Sequence, residues 1–228
     1  MEKGDKQWLA RIGGCWRGQI FRIKLVGLGQ SNNYFINYMS KKLIMTIGLP
    51  FSGKSTLAKD YAAKGYTVID RDDFLSKILE SDEFKINVKR EIDQNNIDPN
   101  DGRAIFAIQN ELAIKTLSAQ VKNLVLNSSQ ENFFYDATNL QKESRAPIVG
   151  LGSQGIEIEG IYLKVPLEEL KKRANLAFEN RQGKFNDIRN LDVFAKMLEE
   201  PTLSEGFSNL EVRNPLAETQ REFKLKVA

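Results

Sequence analysis

Nine consecutive residues, Gly48-Leu49-Pro50-Phe51-Ser52-Gly53-Lys54-Ser55-Thr56, restrict the folds open to this 228-residue chain more than any other feature. They fit the pattern G-x-x-x-x-G-K-[ST], whose spacing has a physical cause. The loop must curl so that successive backbone N–H groups converge on one phosphate, and Gly53 lets the chain approach it without a Cβ clash. Lys54 then reaches the β- and γ-phosphates, the Ser55 hydroxyl faces Mg²⁺, and a helix starting there aims its positive end at the same charge. Such a loop needs a strand before it and a helix after it. Leu43-Ile44-Met45-Thr46-Ile47 is a short apolar run of the buried kind, and Ser55 to about Lys64 has helical spacing, stopped by Gly65. Gly48, Pro50, Ser52, Gly53, Lys54, Ser55 and Thr56 are the expected nucleotide contacts, Ser55 the expected Mg²⁺ ligand, and ATP with Mg²⁺ the expected cofactors. The plain alternative is a Gly-containing turn that binds nothing.

The rest of the chain continues the alternation. Tyr66–Ile69 predicts a second strand and about Asp72–Ser81 a helix. The polar stretch Gln94–Gly102 predicts a loop, and about Arg103–Leu126 a long amphipathic helix. Phe133–Tyr135 and Ile156–Val165 predict further strands. Pro166 to about Phe178, with Pro at the first helical position, and Leu191 to about Leu198 predict two helices, and Leu210–Val212 a last strand. Strands joined by helices imply crossovers and parallel pairing. The expected fold is α/β: a three-layer sandwich around a five-stranded parallel sheet, with a helical lid. Residues 41–228 should form this domain. Residues 1–40, with both tryptophans and no clear period, should be an N-terminal extension outside the fold. A basic, aromatic arm that grips nucleic acid, or an extra packed element, are the other readings of that segment.

Composition narrows the chemistry. There is no histidine, which removes His general bases, Ser-His-Asp and Cys-His nucleophilic systems and His-ligated metals. Cys15 is the lone cysteine, so an intrachain disulfide and a cysteine zinc cluster are excluded. The net charge of +3 does not describe the body of the chain: residues 1–42 hold eight Lys/Arg against two Asp/Glu, and the remainder 25 against 28. Nucleic-acid binding would rest on a local patch. No apolar run approaches the ~20 residues that span a bilayer, and the N-terminus makes a poor signal peptide. The expectation is a cytoplasmic protein with no membrane association and no obligate protein partner.

Chemistry must therefore come from carboxylates, lysines and arginines. Asp70-Arg71-Asp72-Asp73 follows the second predicted strand, at the sheet edge where open α/β folds place ligands. A carboxylate there can take the proton of a hydroxyl attacking the γ-phosphate, and Asp72 is the expected base. The competing role for Asp72 or Asp73 is to cap the next helix. Asp136-Ala137-Thr138-Asn139 ends the third strand. Asp136 there can hold Mg²⁺ through water, and Asp136, Thr138 and Asn139 can orient the acceptor, with an Asx turn as the alternative. Arg173 ends one helical stretch, and Arg181-Gln182-Gly183-Lys184 follows in a polar connector. Arginines on such a connector can close over a transferring phosphoryl group, against the alternative of a solvated face.

Taken in order, these segments resemble a known family. Lys41 to Thr56 closely resembles the start of the bacteriophage polynucleotide 5′-kinase domain, and Asp70-Arg71-Asp72-Asp73 the segment that carries its general base, with Asp72 at the base position. Asp136-Ala137-Thr138-Asn139 is similar to its third-strand motif. Val165-Pro166, Glu169-Leu170 and Lys172-Arg173 are similar to the helix entering its lid, with Arg181 in the place of a lid arginine. Glu200-Pro201-Thr202-Leu203-Ser204-Glu205-Gly206-Phe207 resembles the C-terminal signature of eukaryotic-type end-healing kinases. The likeness covers about residues 41–213. It departs at Leu75, where the phage enzyme has an acceptor-binding arginine, and in the longer spacing from Arg173 to Arg181. The resemblance implies a P-loop kinase that moves the γ-phosphate of ATP to a hydroxyl, foremost the 5′-OH end of a nucleic acid. Small-molecule kinases for sugars, nucleosides or antibiotics, and nucleotide-binding switches with little transfer activity, remain as alternatives.

Overall fold

The structure is a computed structural model that describes residues 10–12, 21–25, 33–36, 41–180 and 187–215. The chain divides into two compact units, Met1–Ser40 and Lys41–Ala228. In the first, β1 (Ala10–Ile12), β2 (Phe21–Leu25) and β3 (Asn33–Ile36) form an antiparallel sheet in the order β1-β2-β3. The sequence had shown no period here, because each strand is five residues or fewer.

The second unit is built on five parallel strands: β4 (Lys42–Ile47), β5 (Thr67–Asp70), β6 (Asn132–Asp136), β7 (Glu157–Leu163) and β8 (Asn209–Arg213). Their spatial order is β5-β6-β4-β7-β8, and all four pairings are parallel. The order makes β4 central. The chain leaves β4 towards one edge, returns through β6, and then crosses to β7 on the other side of β4. A crevice at the carboxyl ends of the strands follows from that reversal, and the phosphate loop begins at this place.

Alternation along the strands separates two apolar layers. Leu43, Met45, Ile47, Phe133, Tyr135 and Ile158 face a core completed by helices α2 (Arg71–Glu80), α3 (Asp82–Gln94), α4 (Gly102–Asn127) and α5 (Lys142–Val149). Ile44, Phe134, Ile161 and Leu163 face α1 (Lys54–Ala63), where Tyr61 stacks on Phe134 at 4.7 Å. A third cluster joins α6 (Leu167–Glu179) and α7 (Asp187–Met197), through Leu170, Ala174 and Leu191, to Leu49 of the phosphate loop and to Leu140. The fold is the expected α/β sandwich with a pair of helices over the phosphate loop.

Some expectations shift. Helix α3 falls where the sequence suggested no element, although Ser81 caps it through its hydroxyl and Phe84, Val88 and Ile92 repeat every four residues. Helix α5 was hidden by Pro147 inside it. Pro166 is the residue before the first helical turn, not the first position within it. The cap of α2 is neither Asp72 nor Asp73. The Asp70 carboxylate accepts from Asp72 N (2.9 Å) and Asp73 N (3.1 Å), because a cap side chain reaches the N–H groups two and three residues ahead of it.

This geometry predicts unequal costs for neighbouring carboxylates. Asp70→Ala should destabilise the protein by about 1 kcal/mol, the usual worth of such a cap, with Asp70→Asn close to neutral. Asp72→Asn should leave the melting temperature essentially unchanged. Thermal denaturation of the three variants checks the assignment.

Candidate functional site

The phosphate loop owes its shape to backbone geometry at two glycines. Gly48 has φ 150°, and a Cβ there would lie 3.0 Å from the Leu163 carbonyl oxygen and 3.1 Å from Ser52 Oγ. Gly53 has φ 102°, left-handed, immediately before α1. The loop is tied to the turn after β6 by Gly48 N–H donating to the Thr138 carbonyl at 3.0 Å. Lys54 is buried, and its ammonium donates to the Leu49 carbonyl at 2.7 Å, so its charge lies across the loop.

Two observations test whether this loop fits a phosphate. Helices α2, α3 and α4 all begin with a side chain accepting from their first N–H groups: Asp70, Ser81 and Asp101. Helix α1 has no side-chain cap and no acid in its first turn, so no acidic side chain of its first turn screens its positive end. Ser52 Oγ is fully buried without a hydrogen-bond partner among the described residues, inside the curl of the loop. An orphaned buried hydroxyl costs free energy unless something completes it. A phosphate oxygen placed here would accept from Ser52 Oγ and face the positive end of α1.

Asp136 closes the site on one side. It is 8% exposed and sits at the end of β6, paired with Asp70 at the end of β5. Burial pushes its carboxyl above the usual carboxylate range and the Asp70 charge adds to this, while hydrogen bonds from Ser55 and Thr46 and the Lys54 charge pull it back. Ser55 hydroxyl and Asp136 carboxylate are thus neighbours. Among the described residues no group of three or more His, Cys, Asp or Glu could hold a metal. A site with one hydroxyl and one carboxylate suits Mg²⁺, which keeps its waters and takes its other ligands from phosphate oxygens.

Thr46 is a participant the sequence did not flag. It is fully buried in β4, and its hydroxyl donates towards the carbonyls of Tyr135 (3.2 Å) and Ala137 (3.1 Å) and accepts from Ala137 N (3.3 Å). A threonine inside an otherwise aliphatic strand was the available signal. Asn139 is buried with φ 50°, and its amide donates to the Thr46 carbonyl at 2.7 Å. That amide therefore serves the turn itself, while Thr138 contributes its backbone carbonyl to Gly48 and its side chain is half-buried.

A family model described as an AAA domain matches residues 43–200. The chain belongs to that family. Solved structures similar to this AAA-domain chain include Chaetomium thermophilum Kti12 in complex with ADP-AlF3, at 18% identity over 75% of this chain and 88% of that one, TM-score 0.51. A putative kinase from Chloroflexus aurantiacus matches at 14% identity over 82% and 97%, TM-score 0.49. A chain of the Pnkp1/Rnl/Hen1 RNA repair complex matches at 23% over 70% and 47%, TM-score 0.45. At these identities what is shared is the fold.

Within this AAA-domain framework the other candidates can be placed. Asp72 lies in the first turn of α2, exposed, with Arg71 Nη1 3.7 Å from its carboxylate. Arg173 lies in α6, where Nη1 donates to the Phe51 carbonyl of the phosphate loop at 3.3 Å and Nε to Glu169 at 3.1 Å. Arg181 lies outside the described residues. No helix among the described residues is long and apolar enough to cross a membrane.

The raised Asp136 carboxyl has a consequence for stability. Its folded-state pKa lies above its unfolded value, so the stabilisation it gives is full at low pH and lost as pH rises through the folded value. Without nucleotide, Asp136→Asn should raise the melting temperature at pH 7, and the gain should vanish below the ordinary carboxylate range. Melting curves across pH check the sign.

Proposed function

We propose that the protein is an ATP- and Mg²⁺-dependent kinase that phosphorylates a hydroxyl, and that its acceptor is the 5′-OH end of a nucleic acid. The observation that carries transfer, beyond nucleotide binding, is the division of labour among the carboxylates at one sheet edge. Asp70 is committed to the cap of α2, Asp136 is buried against Ser55, and Asp72 is exposed in the first turn of α2 beside Arg71. The choice of a nucleic-acid end rests on the ordered likeness of the motifs from Lys41 to Phe207 to the polynucleotide 5′-kinase family.

In this reading the phosphate loop and Lys54 hold the β- and γ-phosphates of ATP. Ser55, with Asp136 acting through water, would hold Mg²⁺, which when bound neutralises charge on the same phosphates. Asp72 accepts the proton of the acceptor hydroxyl as that oxygen bonds to the γ-phosphorus. The bond from the γ-phosphorus to the bridging oxygen breaks, and ADP leaves with the electron pair. Arg173, already on the loop backbone, and Arg181 neutralise the charge that shifts during transfer. Asn139 acts in the turn, through Thr46. Soluble, cytoplasmic action without an obligate protein partner belongs to the same proposal.

Two variants test it. Asp72→Asn preserves shape but removes basicity, so kcat on a 5′-OH oligonucleotide should fall about 10²–10⁴-fold with ADP affinity retained. Lys54→Ala should abolish transfer with the fold intact. An Asp72→Asn enzyme within a few-fold of the parent would remove Asp72 as the base.

A further inference from the structure

Arg145 has no part in the chemistry above, yet it is the largest fully buried side chain of the described residues, at 1% exposure. Its guanidinium spends donors in two directions. Nε and Nη2 grip Glu205 as a planar fork, at 2.6 Å to Oε2 and 2.7 Å to Oε1. Nη1 donates to three carbonyls: Asn139 at 3.0 Å, Leu140 at 3.0 Å and Glu199 at 3.1 Å.

These partners come from two separate stretches of chain. Asn139 and Leu140 end the turn that starts at Asp136. Glu199 and Glu205 lie in the segment after α7. The two stretches are also joined directly, by Glu199 N–H to the Leu140 carbonyl at 2.9 Å and Lys142 N–H to Glu199 Oε2 at 3.0 Å. Glu205 Oε1 further accepts from Thr202 N at 3.1 Å, which fixes the fork from behind.

We propose that Arg145, held by Glu205, is a positioning residue for the metal side of the site, acting through the turn Asp136–Leu140. The turn has a left-handed residue at Asn139, a conformation that a non-glycine residue adopts at a cost. Its near end is held by the Thr46 hydroxyl, which donates towards the Ala137 carbonyl and accepts from Ala137 N, its middle by Gly48 N on the Thr138 carbonyl, and the Asn139 side chain by the Thr46 carbonyl. Its far end is held by Arg145. With both ends fixed, the Asp136 carboxylate stays against Ser55 and Thr46. Stability alone is a poor reason for such a group. A buried ion pair spends much of its attraction on desolvation, and a well-packed apolar pair often does as well. What an apolar pair cannot supply is a guanidinium locked by a fork on Glu205, whose remaining nitrogen sets the place of three carbonyls.

The inference rests on the reading of Ser55 and Asp136 as the Mg²⁺ side of a nucleotide site. Arg145→Lys keeps the charge but loses the fork, and Glu205→Gln keeps the shape but loses the charge on the partner. ADP binding is measured by calorimetry with and without Mg²⁺, at a temperature where each variant is folded by circular dichroism. In both variants ADP affinity without Mg²⁺ should stay within about two-fold of the parent. The apparent Mg²⁺ affinity in the presence of ADP should fall about 10–100-fold, as is usual when a residue that orients a metal ligand is lost. Unchanged Mg²⁺ affinity in folded variants would overturn the proposal, as would an equal loss of Mg²⁺-free ADP affinity. Failure of both variants to fold would overturn it as well, in favour of a purely structural ion pair. A parent chain that binds ADP with no response to Mg²⁺ would instead refute the underlying reading of the site.

Discussion

The placement of β4 between β6 and β7 is the constraint on which the rest depends. It sets the phosphate loop at the reversal of strand order, and the bond from Gly48 N–H to the Thr138 carbonyl fixes where the loop leaves the sheet. From that point the chain has little freedom. Gly48 must avoid the Leu163 carbonyl, Ser52 Oγ turns inward, and Gly53 takes a left-handed turn into α1. The loop is held from two sides: by the β6 turn and by the apolar contact of Leu49 with α6 and α7.

The same edge collects three aspartates that physics separates. Asp70 satisfies two N–H groups of α2. Asp136 is driven towards its neutral form by burial and recovered by Ser55, Thr46 and Lys54. Asp72 is exposed, with the Arg71 guanidinium 3.7 Å from its carboxylate. Nearness in space does not give them one role, because each sees different donors and a different degree of hydration. The account of phosphoryl transfer proposed above uses this separation directly.

Much of this was legible in the sequence, for identifiable reasons. The loop motif is a backbone requirement written in glycines, so its residues and the flanking strand and helix could be read to within a residue or two. Strands β4 and β6 carry the continuous apolar runs Leu43–Met45 and Phe133–Tyr135, as expected of strands covered on both faces. What escaped depends on pairings between distant residues. Arg145 and Glu205 are sixty positions apart, and nothing local marks either as buried. The competing role of Asp72 or Asp73 as the cap of α2 fell to Asp70, because three aspartates in four residues offer the same local signal and the helix start decides among them. Helix α3 carried its own cap and apolar period, whereas α5 was masked by Pro147.

Transfer of labelled γ-phosphate from ATP tests the central claim most directly, with Mg²⁺ and a panel of acceptors: 5′-OH DNA, 5′-OH RNA, nucleosides and sugars. The account predicts a labelled 5′-phosphate on an oligonucleotide and none on free sugars. Labelling of a sugar or a nucleoside alone would contradict the acceptor assignment. Consumption of ATP with no labelled product would contradict the kinase reading itself.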